Sequence, residues 1–405
     1  MALKIAHITE AFEGGVVTYL LHVLPGQVAA GLDVALLFSQ RRPQRYRDEL
    51  AWMQASGVRL CQTRMCRGAQ PLLDLAGVCS IRRFLLQGRF DVMHTHGFKA
   101  GALGRIAARP LTRVLTVHTP HCFPFLRART SLERGATRAV ETWLSRRTDR
   151  LVLVAESQFR AALAAGVSIE RCSVVANGIP AEKVSDIALE RASARRTLRL
   201  PETALVIGTC GRLVRYKATE QLLQSFSLLR KRQPSLICLV IGEGPDKRHL
   251  ARQCRRLGIG DAVRFLGYRP DAAVLLAALD VLVQCAKAEG CPYAVLEAMA
   301  KGIAIVASNT PGHADIIQHE HTGMLYDYGD TESLHRALAR CLENPRLRDR
   351  LGRQAREYVV QHHELTAQVT ALVALYSRLC SRKRSAGNHP GVGVKWRKGQ
   401  PSPLT

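Results

Sequence analysis

Short apolar runs recur along the chain at spacings too long for a hairpin. Residues 3–9, 34–38, 58–61, 91–96, 113–119, 151–155 and 171–176 read as strands. Between several of them, apolar positions three and four apart predict helices over 16–30, 45–55, 72–86, 101–108 and 126–147. The most apolar of these, 16–30, is expected to break at Pro25 and Gly26. Strands that alternate with helices predict an α/β fold with a parallel, doubly wound sheet. A charged stretch rich in Ala, Arg and Leu, 182–200, ends at Pro201 and reads as a linker helix. A second series then begins at Ala204, with strands in ALVIGTCGRL, LICLVIGEGP and AVRFLGY and at 281–283 and 303–307. Its helices are predicted over 219–231, 247–257 and 293–301, the last stopped by Gly302. Helices over 331–341, 345–360 and 364–380 complete the pattern. The expected division is 1–198, 199–364, a final helix 365–380 returning to the first domain, and a basic, disordered tail 381–405.

Composition narrows the class. A chain of 405 residues suits two domains. No apolar stretch is long enough to span a bilayer and no signal peptide is read, so a cytoplasmic protein is expected. The 12 cysteines show no C-x-x-C pair and accompany no metal-spaced histidine cluster, which suits buried thiols in a reducing compartment. A formal charge of +25 asks for an anionic partner. Nucleic acid is not expected, because aromatic residues are few and no recognised binding module occurs.

The candidate chemistry centres on residues 280–315, DVLVQCAKAEGCPYAVLEAMAKGIAIVASNTPGHAD. Glu289 falls on the loop after a strand and Glu297 one turn inside the next helix. In a parallel sheet that junction is where ligands bind. Arg212 and Lys217 lie five apart on another strand-to-helix loop and suit a diphosphate, one as a fork and one as a point charge. Gly14 and Gly15 follow the first strand, where backbone N–H groups can approach an anion. G-x-G-x-x-G is absent there, against a standard dinucleotide site. Competing readings are a solvated Glu289, a Glu297 that complements a helix dipole, and a His118 that is an ordinary core histidine.

In order, GG near the N-terminus, GRL-x-x-x-K, IGEGP, FLG, E-G-x-P-x-x-x-x-E-A-M-A-x-G and TPG resemble the family-4 retaining glycosyltransferases. The resemblance covers most of the chain, most strongly 205–329. It implies the GT-B architecture, two facing Rossmann-like domains with an interdomain cleft. It implies transfer of a sugar from a nucleoside-diphosphate sugar. Arg212 and Lys217 would clamp the diphosphate, Glu289 would hold the sugar and Glu297 the ribose hydroxyls. Backbone N–H groups of Tyr293, Ala294 and Val295, after Cys291 and Pro292, would face phosphate or sugar. Gly14 and Gly15 would reach the diphosphate from the other domain, His118 would sit over the sugar, and Tyr268 would pack near the base. No metal and no separate cofactor are expected, because the cations serve the diphosphate and no D-x-D motif ends a strand.

The chain departs from the family pattern at Ala218 (commonly Gly), Cys291 (commonly aromatic), Gln284–Cys285 (commonly Pro-Ser) and Asp315 (commonly Glu, with His313 intervening). These changes leave the sugar open. The expected acceptor is a saccharide or lipid-linked saccharide of surface polysaccharide synthesis. Residues 127–150 carry Arg127, Arg129, Arg134, Arg138, Arg146, Arg147 and Arg150 among Leu126, Leu132, Val140, Trp143 and Leu144. Such a basic amphipathic stretch suits an anionic membrane surface, here the inner face of the cytoplasmic membrane. The competing reading packs its apolar stripe on the first-domain core. Alternative functions are a nucleotide-sugar epimerase or hydrolase of the same architecture, or a basic nucleic-acid-binding protein.

Overall fold

Seven parallel strands make the first sheet and six make the second. The computed structural model describes residues 2–10, 12–39, 46–65, 68, 70–181 and 187–387. The first domain runs β1 (Lys4–Thr9), α1 (Gly15–Ala29), β2 (Asp33–Phe38), α2 (Arg47–Ala55), β3 (Arg59–Gln62), α3 (Pro71–Gly88) and β4 (Val92–His96). It continues with α4 (Phe98–Ala108), β5 (Leu115–Thr119), α5 (Pro124–Arg127), α6 (Ser131–Ser145), β6 (Arg150–Leu153), α7 (Glu156–Ala164) and β7 (Cys172–Val174). Its strand order is β3-β2-β1-β4-β5-β6-β7, so the direction of winding reverses between β1 and β4.

A connecting helix, α8 (Ile187–Thr197), leads to the second domain; positions 182–186 of the predicted linker lie outside the described residues. Arg191 and Arg195 of α8 hold Asp280 at 2.9 Å each and fix the connection to the second sheet. There follow β8 (Val206–Cys210), α9 (Thr219–Arg232), β9 (Ile237–Ile241), α10 (Lys247–Arg256), β10 (Val263–Gly267), α11 (Ala272–Leu275) and β11 (Val281–Gln284). Then come α12 (Tyr293–Ala300), β12 (Ala304–Ser308), β13 (Met324–Tyr326), α13 (Thr331–Glu343), α14 (Pro345–His362) and α15 (Leu365–Gly387). The order β10-β9-β8-β11-β12-β13 reverses between β8 and β11. The molecule is therefore two parallel α/β Rossmann-like domains.

Four expectations change. Helix α1 runs straight through Pro25, and Gly26 receives α15: a Cβ there would lie 2.8 Å from Val369 Cγ2. The expected helix 126–147 is two helices, because Ala128 is extended and Thr130 caps α6 by accepting from the Glu133 N–H at 3.1 Å. Helix α15 continues to Gly387, so Arg382, Lys383 and Arg384 are helical and not part of a disordered tail; positions 388–405 of that tail lie outside the described residues. Strand β13 and helix α7 were not anticipated. Among the described residues, every cysteine is a free thiol and no helix is long and apolar enough to cross a membrane.

Candidate active site

Sites in parallel sheets form at the carboxyl ends of strands where winding reverses. In the second sheet that place is β8/β11. The loop after β8 carries Arg212, then a single 3-10 turn, Arg215–Lys217, and then α9. The loop after β11 carries Glu289, whose N–H donates to the Pro311 carbonyl at 2.9 Å. The two loops meet: Lys217 Nζ contacts Glu289 Oε1. Burial works against the ammonium, but the Glu289 carboxylate and Tyr216 outweigh it and raise the Lys217 pKa above the usual lysine value. Ala218, at φ 48°, opens α9 from the left-handed region, a conformation that suits the glycine common at this position.

Glu297 sits in α12, 9% exposed. Burial pushes the nearby Cys210 thiol up to about 12, and the Glu297 charge adds to that push. The first turn of α12 differs from expectation. The Val295 N–H donates to the Pro292 carbonyl at 3.0 Å and is committed within the helix. The N–H groups of Tyr293 and Ala294 remain ahead of it at the helix start. Cys291 and Tyr293 are buried.

The first domain meets this cluster at its own reversal point. Gly14, at φ 62°, precedes α1. A Cβ on Gly14 would stand 3.3 Å from Arg212 Cδ, and one on Gly15 would stand 4.0 Å from the Tyr293 ring. Glu13 Oε2 lies 3.9 Å from Arg212 Nη2. The structure therefore brings Gly14, Gly15, Arg212 and Tyr293 together across the cleft.

His118 is elsewhere. It is fully buried and faces α4, where a Cβ on Gly101 would come within 2.3 Å of its ring. Its Nδ1 lies 2.9 Å from Thr95 Oγ1, and the buried Arg105–Glu141 ion pair is beside it. Burial, then Arg105, hold its pKa well below the usual histidine value. The expectation that His118 sits over the sugar is corrected, because strand alternation turns it to the face covered by α4, where it packs in the core. His121, on the loop past β5, reaches the second domain through its backbone. Its carbonyl accepts from Gln158 Nε2 at 2.9 Å, and a Cβ on Gly290 would lie 1.7 Å from that oxygen. Only glycine permits this approach beside Glu289.

Sequence reasoning also misplaced Arg127. It was read as part of a basic surface helix, but the break after α5 turns it into the cleft. Its Nη1 donates to the Tyr216 hydroxyl at 3.2 Å, its guanidinium lies 4.9 Å from that ring's centroid, and Nη2 donates to the Cys122 carbonyl at 2.8 Å. A signal was available: residues 120–127 follow a strand end, where parallel sheets place their sites. Tyr268 packs edge-on to Tyr46 of the first domain, ring centroids 5.5 Å apart.

Further bonds join the two domains. Asn177 Nδ2 donates to the Cys291 carbonyl at 2.7 Å, and Lys287 Nζ to the Ala128 carbonyl at 2.9 Å. Asp315 accepts from the Ser157 N–H at 2.8 Å and from its hydroxyl, and so caps α7 from the other domain. The site is thus a cationic cleft between the two domains, with one buried carboxylate, Glu297, and one partly exposed, Glu289. It can hold a diphosphate at Arg212 and Lys217 and hydroxyl groups at Glu289 and Glu297.

Comparisons with known proteins agree with this fold. Residues 190–358 match the family described as glycosyl transferases group 1, and residues 14–178 match the glycosyl transferase 4-like domain. The chain is 26% identical over 320 residues to an Escherichia coli UDP-Gal:alpha-D-GlcNAc-diphosphoundecaprenol alpha-1,3-galactosyltransferase, covering 77% of this chain and 81% of that protein. It is 30% identical over 309 residues to a D-inositol 3-phosphate glycosyltransferase of Corynebacterium urealyticum, covering 72% of each. The crystal structure of Anabaena HepE in complex with UDP-glucose superposes with a TM-score of 0.77 at 20% identity, over 93% of this chain and 100% of that one. Its fold is the GT-B fold, and the chain belongs to the family-4 glycosyltransferases.

Proposed function

We propose that this glycosyltransferase moves a sugar from a nucleoside-diphosphate sugar to a lipid-linked or growing saccharide acceptor, with retention of configuration and without a metal ion. The observation that carries this reading is the meeting of Arg212, Lys217, Glu289 and the Gly14–Gly15 turn between two facing reversal points. Arg212 and Lys217 neutralise the diphosphate and stabilise it as it leaves, the electrostatic task a bound cation would otherwise perform. Glu289 accepts from sugar hydroxyls and Glu297 from the ribose. The departing phosphate oxygen takes the acceptor's proton on the face it leaves. The contacts of Asp315, Asn177 and Lys287 across the cleft keep water from the donor.

The names of the Escherichia coli relative and of the HepE complex favour a UDP-sugar as donor and a polyprenyl-diphosphate saccharide as acceptor. Incubation with UDP-sugars and a polyprenyl-diphosphate-linked sugar should give an α-anomeric product by NMR from an α-linked donor, at a rate unchanged by EDTA. An inverted product, or a rate abolished by EDTA and restored by a divalent ion, would overturn the corresponding part.

A second reading concerns the membrane surface, and α6 favours it. Leu132, Val140 and Trp143 are 83%, 41% and 46% exposed, whereas Glu141 and Leu144 are buried on the opposite face. Exposed Arg146 lies three positions from Trp143, and the Arg147 guanidinium sits over the Trp143 ring. This face suits the anionic inner leaflet of the cytoplasmic membrane. Vesicles containing anionic lipid should sediment the protein and neutral vesicles should not; equal sedimentation would sink the idea.

A further inference from the structure

The first sheet carries a second cluster that the donor site does not use. Strand pairing sets His7 beside His94, and Thr9 beside His96. His94 and His96 are two apart, so they share one face of the sheet with His7, opposite His118. His7, His94 and His96 are fully buried. Helix α1 supplies Gln27 over this face, and α15 supplies Tyr376.

The bonds run in one line. His121 Nε2 lies 3.2 Å from His96 Nδ1. His96 Nε2 lies 2.9 Å from His7 Nδ1, and His7 Nε2 lies 2.8 Å from Gln27 Oε1. Gln27 Nε2 donates to the Tyr376 hydroxyl at 3.4 Å. Beyond Tyr376 the line continues at 2.6 Å to His94 Nδ1, and from His94 Nε2 at 2.8 Å to Thr119 Oγ1. Each neutral imidazole has one N–H and one lone pair, so the direction of one bond fixes the next. An amide oxygen only accepts, so Gln27 Oε1 forces the proton of His7 onto Nε2. His7 Nδ1 must then accept from His96 Nε2–H, and His96 Nδ1 must accept from His121 Nε2–H. On the other half the Tyr376 hydroxyl accepts from Gln27 and is free to donate its own proton to His94 Nδ1, in which case His94 Nε2–H donates to Thr119 Oγ1.

We propose that Gln27 and Tyr376, acting through His7 and His96, are positioning residues that fix His121 as the Nε2–H tautomer, so that it offers the cleft the lone pair of Nδ1. The inference rests on the reading that places His121 at the donor site. The ring of His121 is further held edge-on to Tyr19, with centroids 4.8 Å apart. Burial holds the pKa of His7 at about 4 and that of His121 at about 3, and those of His94 and His96 are also lowered, so the line stays neutral near pH 7.

The three histidines His7, His94 and His96 also lie close enough to share a metal ion. Hydrogen bonding argues against that use. Both ring nitrogens of each already have a partner, and among the described residues the trio brings no carboxylate or thiolate to offset a buried divalent charge.

Because Tyr376 lies on the final helix, the line makes docking of α15 on the first domain a condition for the state of His121. The test uses the full-length protein labelled with 15N-histidine, with His121 assigned by loss of its signal in His121→Gln. Wild type should show His121 protonated at Nε2. Tyr376→Phe removes a single hydroxyl, and Gln27→Met is a second, nearly isosteric variant. In both, the His121 signal should become a mixture of tautomers, and kcat should fall about tenfold with donor KM unchanged. A His121 protonated at Nδ1 in wild type overturns the proposal. So does a tautomer unchanged in both variants, with only the melting temperature lowered. So does stoichiometric zinc in the purified protein by elemental analysis. A fixed tautomer alongside a fully active His121→Ala would leave the relay standing and instead remove His121 from the donor site.

Discussion

The two reversal points face each other across one cleft but are built from different materials. The second-domain point is made of loop residues, Arg212, Lys217 and Glu289, which meet because their loops follow neighbouring strands. The first-domain point adds a glycine turn, and behind it a sheet face of histidines whose bonds extend to the last helix of the chain. A loop site depends on which strands are neighbours. A sheet-face site depends on strand parity, so a residue one position away points into the opposite layer. A one-residue shift in register would therefore destroy the histidine line, whereas the loop cluster needs only that β8 and β11 remain neighbours.

The largest effect that tests this contrast is removal of the clamp. Arg212→Ala and Lys217→Ala should each lower kcat by about 10²–10³-fold, the scale for losing one preorganised group that stabilises developing charge. A change below threefold in steady-state kinetics would move the diphosphate elsewhere.

Next, His121→Ala should lower kcat by about 10²-fold, with a modest fall in melting temperature from leaving the buried His96 Nδ1 without its donor. His118→Ala should do the reverse, because His118 packs in the core on Gly101 beside the Arg105–Glu141 pair. If His118→Ala behaves like the clamp variants, the assignment of the two histidines is inverted.

Smaller still is the acid sensitivity of the sheet face. His7, at about 4, and His121, at about 3, lie below their ordinary value of 6.5, so the unfolded chain binds more protons between those limits. Their contribution to stability is complete above about pH 6.5. It declines as pH falls toward about 4, so the urea midpoint should drop between pH 7 and pH 5. A flat midpoint would mean that these rings are not held neutral. At the small end, Ala218→Gly should relieve a left-handed alanine and stabilise the second domain by about 1 kcal/mol in urea titration.

Much of the second domain was legible because its information is local. The run from Glu289 to Glu297 specifies strand, loop, proline and helix in succession, and Lys217 follows its strand by a fixed count. The first domain was legible in its α/β alternation but not in its site. His118 was singled out because it ends a strand, yet the residue whose backbone reaches the second domain lies three positions further on, past Thr119. His94 and His96 read as isolated histidines until strand order set His7 beside them, a placement that depends on pairings between residues about 90 apart. Arg127 was misread for a related reason: extended Ala128 breaks the amphipathic pattern and turns that side chain inward. Long-range partners such as Tyr376 leave no local signal.

The clustered loops are expected to hold a nucleoside-diphosphate sugar, with Glu297 on the ribose. The most direct test is the melting temperature of wild type and Glu297→Ala with UDP-, GDP-, ADP- and CMP-sugars, since a ligand bound only by the folded state raises it. Wild type should show a rise with one class of nucleotide sugar, and Glu297→Ala little or none. An equal rise in both proteins, or no rise with any of the four classes, would contradict that expectation.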